Sequence, residues 1–157
     1  MTGGHFEPAI GWEALVTRPG LLQPGDIVHT QNPGRLSRAI RWLAKKKDGQ
    51  RAWASHTAML LSADPAEMLI EAQLRVGVRP AYVYAHRGAR AAIHRIPGGL
   101  TAPQRRQICL YALAYEGAAY GAHKALALAL DHLIGDRYLF RRLIWEHRYP
   151  ICSWLVA

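Results

Sequence analysis

Several features that would identify a class of protein are scarce in this sequence. There are only two cysteines, Cys109 and Cys152. They form no CxxC pair and no cluster spaced for zinc, so a structural metal site is not expected. The sequence shows no secretory leader, which argues against a disulfide between them. No internal repeat or low-complexity tract is visible, which excludes a repeat architecture.

Long apolar runs are also missing. The longest candidate, ALALALDHLI, is interrupted by Asp131 and His132 and falls short of the about eighteen residues that a membrane span needs. The first residues, MTGGHFEPAIGWEAL, lack a basic region followed by an apolar region, so no signal peptide is predicted. We therefore expect a cytoplasmic protein, or one delivered without a cleaved leader, such as an enzyme carried in a phage particle.

Acidic residues are few. Eleven Asp and Glu face twenty Lys and Arg, which gives a net charge of +9. This charge favours an anionic polymer or a membrane surface as a partner, although a solvated basic surface explains it equally well. Trp42 and Trp53 flank the basic loop KKKDGQR, where the same two interpretations apply. No helix-turn-helix, RRM-like motif or zinc finger is present, so the sequence argues against nucleic acid as a partner.

What is present indicates one globular domain spanning residues 1–157, because half of the chain is hydrophobic and no linker is visible. Residues 1–20 are predicted to be irregular, about 21–97 to form a sheet and about 101–157 to be helical. Strands grouped before helices predict the α+β class. The predicted strands cover Asp26 to Thr30, His56 to Ser62, Glu67 to Ala72, the run VGVRPAYVYA, and Ala91 to Ile96.

One helix is predicted within that first half of the chain. GRLSRAIRWLAKKKDG places Leu36, Ile40 and Leu43 on an apolar stripe. Ser37 is a candidate cap, and Lys45 to Lys47 suit the C-terminal end of the helix dipole.

Two candidate site residues lie in adjacent strands. His56 opens the apolar run HTAMLLS, and Glu71 stands near the end of MLIEA. Strands joined by a short turn pair antiparallel, which brings the start of one beside the end of the next. The carboxylate could then orient the imidazole and stabilise its charged form. Each residue alone also fits a structural role, His56 at a sheet rim and Glu71 in an ion pair.

Cys152 is the candidate nucleophile. Pro150 precedes it as at the start of a helix, and ICSWLVA is apolar enough to be buried. The positive end of a helix dipole and a nearby imidazolium both lower a thiol pKa, and the thiolate is the reactive form. Cys109, in the helical pattern PQRRQICLYALAYEG, is interpreted as a core residue instead. Without its predicted partners, Cys152 fits the same description.

The order GDIVHT, SHTAML, MLIEA and YPICSWLVA resembles the circularly permuted branch of the NlpC-like, papain-like cysteine peptidases and amidases, the YiiX type. The resemblance implies a small, curved antiparallel sheet packed on helices in permuted papain-like order. It implies Cys152 as nucleophile, His56 as general base and Glu71 as the orienting third member, with no metal or organic cofactor. The expected reaction is hydrolysis of an amide or ester bond, in peptidoglycan peptides or in an N-acyl or lipid-like substrate.

Two departures from the family pattern support an alternative. The family usually has CSEL where this chain has Trp154 as the third residue, and the chain ends soon after Cys152. The alternative is a catalytically inactive papain-like module with a structural or binding role in an assembly. Tyr149, Asp26 and His29 are further candidates to line the site, although turn fixing is the simpler role for Asp26. The sequence predicts no oligomeric state.

Overall fold

The computed structural model describes residues 10–11, 21–43, 52–63, 66–85 and 88–121, together with the single positions 124, 127 and 130. Its strands and helices follow in this order along the chain: β1 (Ile10–Gly11), β2 (Ile27–Gln31), α1 (Arg35–Leu43), β3 (His56–Ser62), β4 (Met68–Ala72), β5 (Val76–Pro80), α2 (Tyr82–Ala85), β6 (Arg90–His94) and α3 (Ala102–Leu113).

The strands form one antiparallel sheet in the order β1-β6-β2-β3-β4-β5. The predicted α+β class and antiparallel sheet are confirmed. The Pro24-Gly25 turn precedes β2, and Gly25 takes a φ of 87°, a value that glycine adopts without strain. The interpretation of residues 1–20 as wholly irregular is wrong at β1, where Ile10 pairs with Ala91 of β6.

Each face of the sheet carries its own apolar cluster, because successive side chains of a strand point to opposite sides. One face, here the His56 face, carries His56, Ala58 and Leu60 of β3. Its buried cluster comprises Leu22, Val28, Ala58, Leu60, Leu69, Ala81, Tyr84, Ala89, Ala91 and Ile93. The other face, here the α3 face, buries Met59, Ile70, Ala72 and Val76 against Cys109 and Ala112 of α3.

The run VGVRPAYVYA is not one strand, contrary to the sequence-based expectation. β5 ends at Pro80, whose ring removes the N–H that a continuing strand would donate. The chain then turns, and the backbone N–H of Tyr84 donates to the carbonyl of Ala81 at 3.0 Å. The turn forms the one-turn helix α2, which buries Tyr84 on the His56 face.

Helix α1 lies where the sequence predicts it, but two details differ. Ser37 is its third residue and not its cap, and the Ser37 hydroxyl donates to Ser55 Oγ at 2.7 Å. The stripe containing Leu36 and Ile40 is exposed. The predicted lysine end of the helix and residues 131–157 lie outside the described residues. Among the helices described, none has the length and apolar character that crossing a bilayer requires.

Candidate active site

His56 is positioned by the residue that precedes it. The Ser55 hydroxyl donates to the carbonyl oxygen of Thr30 at 3.3 Å and accepts the hydrogen bond from Ser37. The backbone N–H of Ser55 donates to the same Thr30 carbonyl at 2.9 Å. These bonds tie the start of β3 to both β2 and α1. The backbone that carries His56 is therefore fixed on two sides.

Glu71 lies opposite Ala58 in the β3–β4 pairing and so shares the His56 face. His56 is two residues before Ala58, so the two side chains are diagonal neighbours, within reach for long side chains. The Nε2–H of His56 donates to Glu71 Oε2 at 2.8 Å. The adjacency of His56 and Glu71 that the strand order predicts is confirmed.

Glu71 is only 1% exposed, and a buried carboxylate needs donors to replace water. Besides His56, the Tyr84 hydroxyl donates to Oε2, and Gln73 Nε2 donates to Oε1 at 2.7 Å. Arg79 adds an ion pair, with its Nε 3.3 Å from Oε1. Both carboxylate oxygens are thus held from two sides, which fixes the orientation of the group.

The electrostatics of this cluster keep Glu71 ionised. Burial raises the pKa of Glu71, but hydrogen bonds from His56 and Tyr84 and the charges of His56 and Arg79 outweigh it. The pKa of Glu71 therefore lies below its ordinary value. Burial and the adjacent Glu71 charge raise the pKa of Tyr84 far above its ordinary value, so its hydroxyl stays protonated and donates.

The imidazole of His56 is held on one edge and one face. Its Nε2 is bonded to Glu71, and its ring stacks beside that of Tyr84, with centroids 6.5 Å apart and planes inclined by 22°. The His56 side chain is 13% exposed, whereas Glu71 is inaccessible. Because Nε2 carries the donated hydrogen, Nδ1 is the ring atom that can accept a proton from a nucleophile.

Asp26 and His29 do not join this pair. Asp26 is buried in a bidentate pair with Arg95, through Nε at 2.8 Å and Nη2 at 2.5 Å, and it accepts the backbone N–H of Gln23 at 2.8 Å. It therefore fixes the turn before β2.

His29 pairs with Thr57 and lies on the α3 face, opposite His56. Its Nδ1 is 3.0 Å from Thr57 Oγ1, and its ring meets that of His94 edge to face. The expectation that His29 lines the same pocket as His56 is wrong, because Thr30 and not His29 pairs with His56, so the His29 side chain lies on the opposite face of the sheet.

The structure describes one of the two cysteines, Cys109. Cys109 is buried in the cluster on the α3 face, as predicted for a core residue, and burial raises the pKa of its thiol. Its Sγ lies 3.8 Å from the carbonyl oxygens of Leu60 and Leu61. Cys152 and Tyr149 lie outside the described residues, so the placement of the predicted nucleophile remains a prediction.

In the described ranges, no three His, Cys, Asp or Glu side chains come together as metal ligands. Both oxygens of Glu71 already accept hydrogen bonds from protein donors, which opposes their use in coordination.

Three residues of the cluster escape the sequence-based prediction: Gln73, Arg79 and Tyr84. Gln73 and Arg79 could have been found from the alternation of side chains along a strand. Gln73 is two residues after Glu71, and Arg79 is two residues after Gly77, which pairs with Glu71, so both share the face of Glu71. Tyr84 could not, because YVYA is typical of a strand and its helical turn depends on Pro80 and tertiary burial.

Comparisons with known proteins agree with this fold at low sequence identity. No protein-family model matches the chain, and no curated protein matches it. Among solved structures, it is similar to the metalloprotein yiiX from Escherichia coli O157:H7, with a TM-score of 0.57 and 23% identity. The match covers 85% of this chain and 62% of that one, so this chain spans under two thirds of the neighbour's length. The chain therefore has a fold of the yiiX type.

Proposed function

We propose that this protein is a thiol-dependent hydrolase of amide or ester bonds, with permuted papain-like architecture. The observation that carries the proposal is the hydrogen bond from His56 to the buried, ionised Glu71. A buried carboxylate that accepts the hydrogen of one imidazole nitrogen orients the ring and stabilises its protonated form, which a general base requires. The fold similarity to yiiX supports the proposed architecture, but it shows no activity.

In the proposed mechanism Cys152 transfers its thiol proton to Nδ1 of His56 and its sulfur attacks the carbonyl carbon of the substrate. The tetrahedral intermediate collapses to a thioester as His56 gives that proton to the leaving amine or alcohol. Water then attacks the thioester with His56 as base, which releases the acid and restores the thiol. Glu71 stabilises the imidazolium in both steps.

The substrate classes proposed are peptidoglycan peptides and N-acyl or lipid-like amides. The test compares wild type with Cys152→Ala and His56→Asn on muropeptides and on acyl amides, with products read by mass spectrometry. We expect each variant to lose about a thousandfold or more in kcat/KM, as removal of a member of such a triad does elsewhere. Glu71→Gln retains the shape but not the charge, and we expect an intermediate loss.

Matched controls separate chemistry from folding. Cys109→Ala removes the other thiol, and His94→Asn removes a partly buried histidine on the α3 face. Both are expected to keep wild-type kcat/KM. Product formation by Cys152→Ala at the wild-type rate would overturn the proposal, and so would the absence of product from wild type on both substrate classes.

A second candidate is an inactive module in which the same cluster is structural. The complete set of donors around Glu71, from His56, Gln73, Arg79 and Tyr84, is also what a buried ion cluster requires for stability. Iodoacetamide distinguishes the two. An activated Cys152 reacts faster than the buried Cys109 at neutral pH, whereas equally slow labelling of both thiols favours the inactive module.

A further inference from the structure

Helix α1 turns its polar side to the rest of the protein and its apolar stripe outward. Ser37 is buried and Arg41 half-buried on the side that meets the β2–β3 region. Leu36 is 74% exposed, and Ile40, one turn later, is 38% exposed. A helix of this pattern ordinarily buries its apolar stripe. Two large aliphatic side chains therefore form an outward patch, here called the α1 stripe (Leu36 and Ile40).

Cations border the α1 stripe. Arg35 and Arg38 are exposed on the same helix, and Trp42 is half exposed near its C-terminal end. The sequence continues directly into three lysines, Lys45 to Lys47. The helix thus combines an apolar strip, an exposed aromatic ring and basic residues in about two and a half turns.

This combination fits a bilayer surface better than a protein surface. A basic amphipathic helix lies in the membrane interface with aliphatic side chains in the acyl boundary and cations among anionic head groups. Tryptophan is favoured at the head-group level. A second copy of this chain is a poor occupant, because two molecules of net charge +9 repel one another. Phosphate contacts alone, as with nucleic acid, leave the aliphatic stripe unused.

We propose that α1 docks this protein peripherally onto bilayers that contain anionic phospholipids. Leu36 and Ile40 enter the acyl boundary while Arg35 and Arg38 contact the head-group phosphates. On the side of α1 that faces the protein, Ser37 hydrogen-bonds to Ser55, the residue before His56, so α1 adjoins the start of the strand that carries His56. The docking does not depend on the hydrolase activity, because it uses none of the residues around Glu71.

Co-sedimentation with vesicles tests the apolar part of the proposal. The full chain carrying Cys152→Ala, which cannot turn over lipid by the proposed chemistry, is mixed with phosphatidylcholine vesicles with and without about 30% phosphatidylglycerol, at a content typical of anionic membranes. We expect binding to the anionic vesicles only. Leu36→Asp is expected to weaken this binding about tenfold or more, since a leucine inserted in the acyl boundary is replaced by a charge that the head groups repel.

Leu74→Asp is the matched control for that substitution. Leu74 is 90% exposed in the turn between β4 and β5, outside α1, and the change in charge and size is identical. It is expected to change vesicle binding by less than about twofold, the effect of one added negative charge outside the docked helix under salt screening. Equal losses for Leu36→Asp and Leu74→Asp would overturn the docking surface and leave only a general effect of net charge.

The charged part is tested by Arg38→Glu against Arg106→Glu, an exposed arginine on α3. Only Arg38→Glu is expected to weaken binding by about tenfold, and wild-type binding is expected to fall as salt is raised. Equal binding to neutral and anionic vesicles would overturn the proposal. Concentration-dependent dimerisation that Leu36→Asp abolishes, without vesicle binding, would overturn it too and assign the stripe to a second copy.

Discussion

In the part of the chain that the structure describes, Glu71 is a carboxylate enclosed by an imidazole, a phenol, an amide and a guanidinium. Removing a charge from water is costly, and the cost is offset only where donors saturate its oxygens. The same saturation gives His56 a fixed orientation. A hydrolase needs this arrangement for proton transfer, and an inactive descendant of such an enzyme would keep it for stability.

Tyr84→Phe tests how much the phenol contributes to that arrangement. Loss of a hydrogen bond to a charged, buried acceptor is expected to lower the free energy of unfolding by about 1.5–3 kcal/mol at neutral pH. The pKa of Glu71 is held below its ordinary 4.5, so the stability that its ionised form contributes is present above that pH and is lost as pH falls through the lowered pKa. Urea unfolding at neutral pH and at about pH 3.5, below the ordinary carboxyl range, measures both effects.

The difference between wild type and Tyr84→Phe is therefore expected to shrink in acid. Tyr115→Phe is the control, since Tyr115 lies on the surface and its hydroxyl is expected to contribute less than about 0.5 kcal/mol. A Tyr84→Phe loss that is the same at both pH values would contradict the assignment of the hydrogen bond to ionised Glu71. It would point to ring packing instead.

At the residue scale, the sequence predicts the pair of His56 and Glu71 but not the residues that surround it. His56 and Glu71 are recoverable because strand ends joined by a short turn must meet. The parity that sends His29 to the α3 face follows from its pairing with Thr57, and no pattern in GDIVHT alone specifies that register. Tyr84 requires knowledge of where Pro80 turns the chain, which is a tertiary feature.

Among the elements, the central strands follow directly from their apolar runs, whereas the orientation of α1 does not. The pattern of Leu36 and Ile40 predicts a helix correctly, but the side that faces the sheet is decided by the Ser37–Ser55 hydrogen bond. Hydrophobic periodicity identifies a stripe and not its partner. An outward stripe thus marks a place where local sequence and the packed sheet disagree, which is typical of a surface with a function.

The pairing of β2 with β6 brings two histidines together and predicts a pH-dependent stability. Burial, and then the positive charge of His94, lower the pKa of His29 below its ordinary 6.5. As pH falls below 6.5, the unfolded chain takes up a proton at this site before the folded protein does, so stability falls with it. We expect His29→Gln to flatten this part of the pH–stability curve, measured by urea unfolding between about pH 8 and pH 5, the range in which histidine titrates.

His94→Gln distinguishes the two causes. It removes the nearby charge but leaves His29 half-buried against Thr57, so it is expected to reduce the pH dependence without abolishing it. An unchanged curve for His29→Gln would contradict the prediction. It would also place the acid sensitivity of the fold elsewhere.

At the scale of the whole molecule, the two faces of the sheet carry different groups of residues. The His56 face carries the buried Glu71 cluster, while the α3 face is closed by an apolar layer in which Cys109 and Ala112 meet Met59 and Ile70. The core thiol Cys109 belongs to the second face, and its reactivity can be measured by itself.

In the Cys152→Ala variant Cys109 is the single thiol of the chain. The rate of its alkylation therefore measures how well the apolar layer between α3 and the sheet is closed to solvent. Because the thiol is buried and burial raises its pKa, iodoacetamide is expected to label it at least about a hundredfold more slowly in native buffer than in urea. The labelling midpoint in a urea series is expected to coincide with the loss of circular dichroism, since α3 and the sheet share one core. Leu110→Cys, combined with Cys109→Ala and Cys152→Ala, is the matched control because Leu110 is the next residue of α3 and is exposed. That thiol should react rapidly in native buffer, and equal native rates at positions 109 and 110 would show that α3 does not close the face of the sheet.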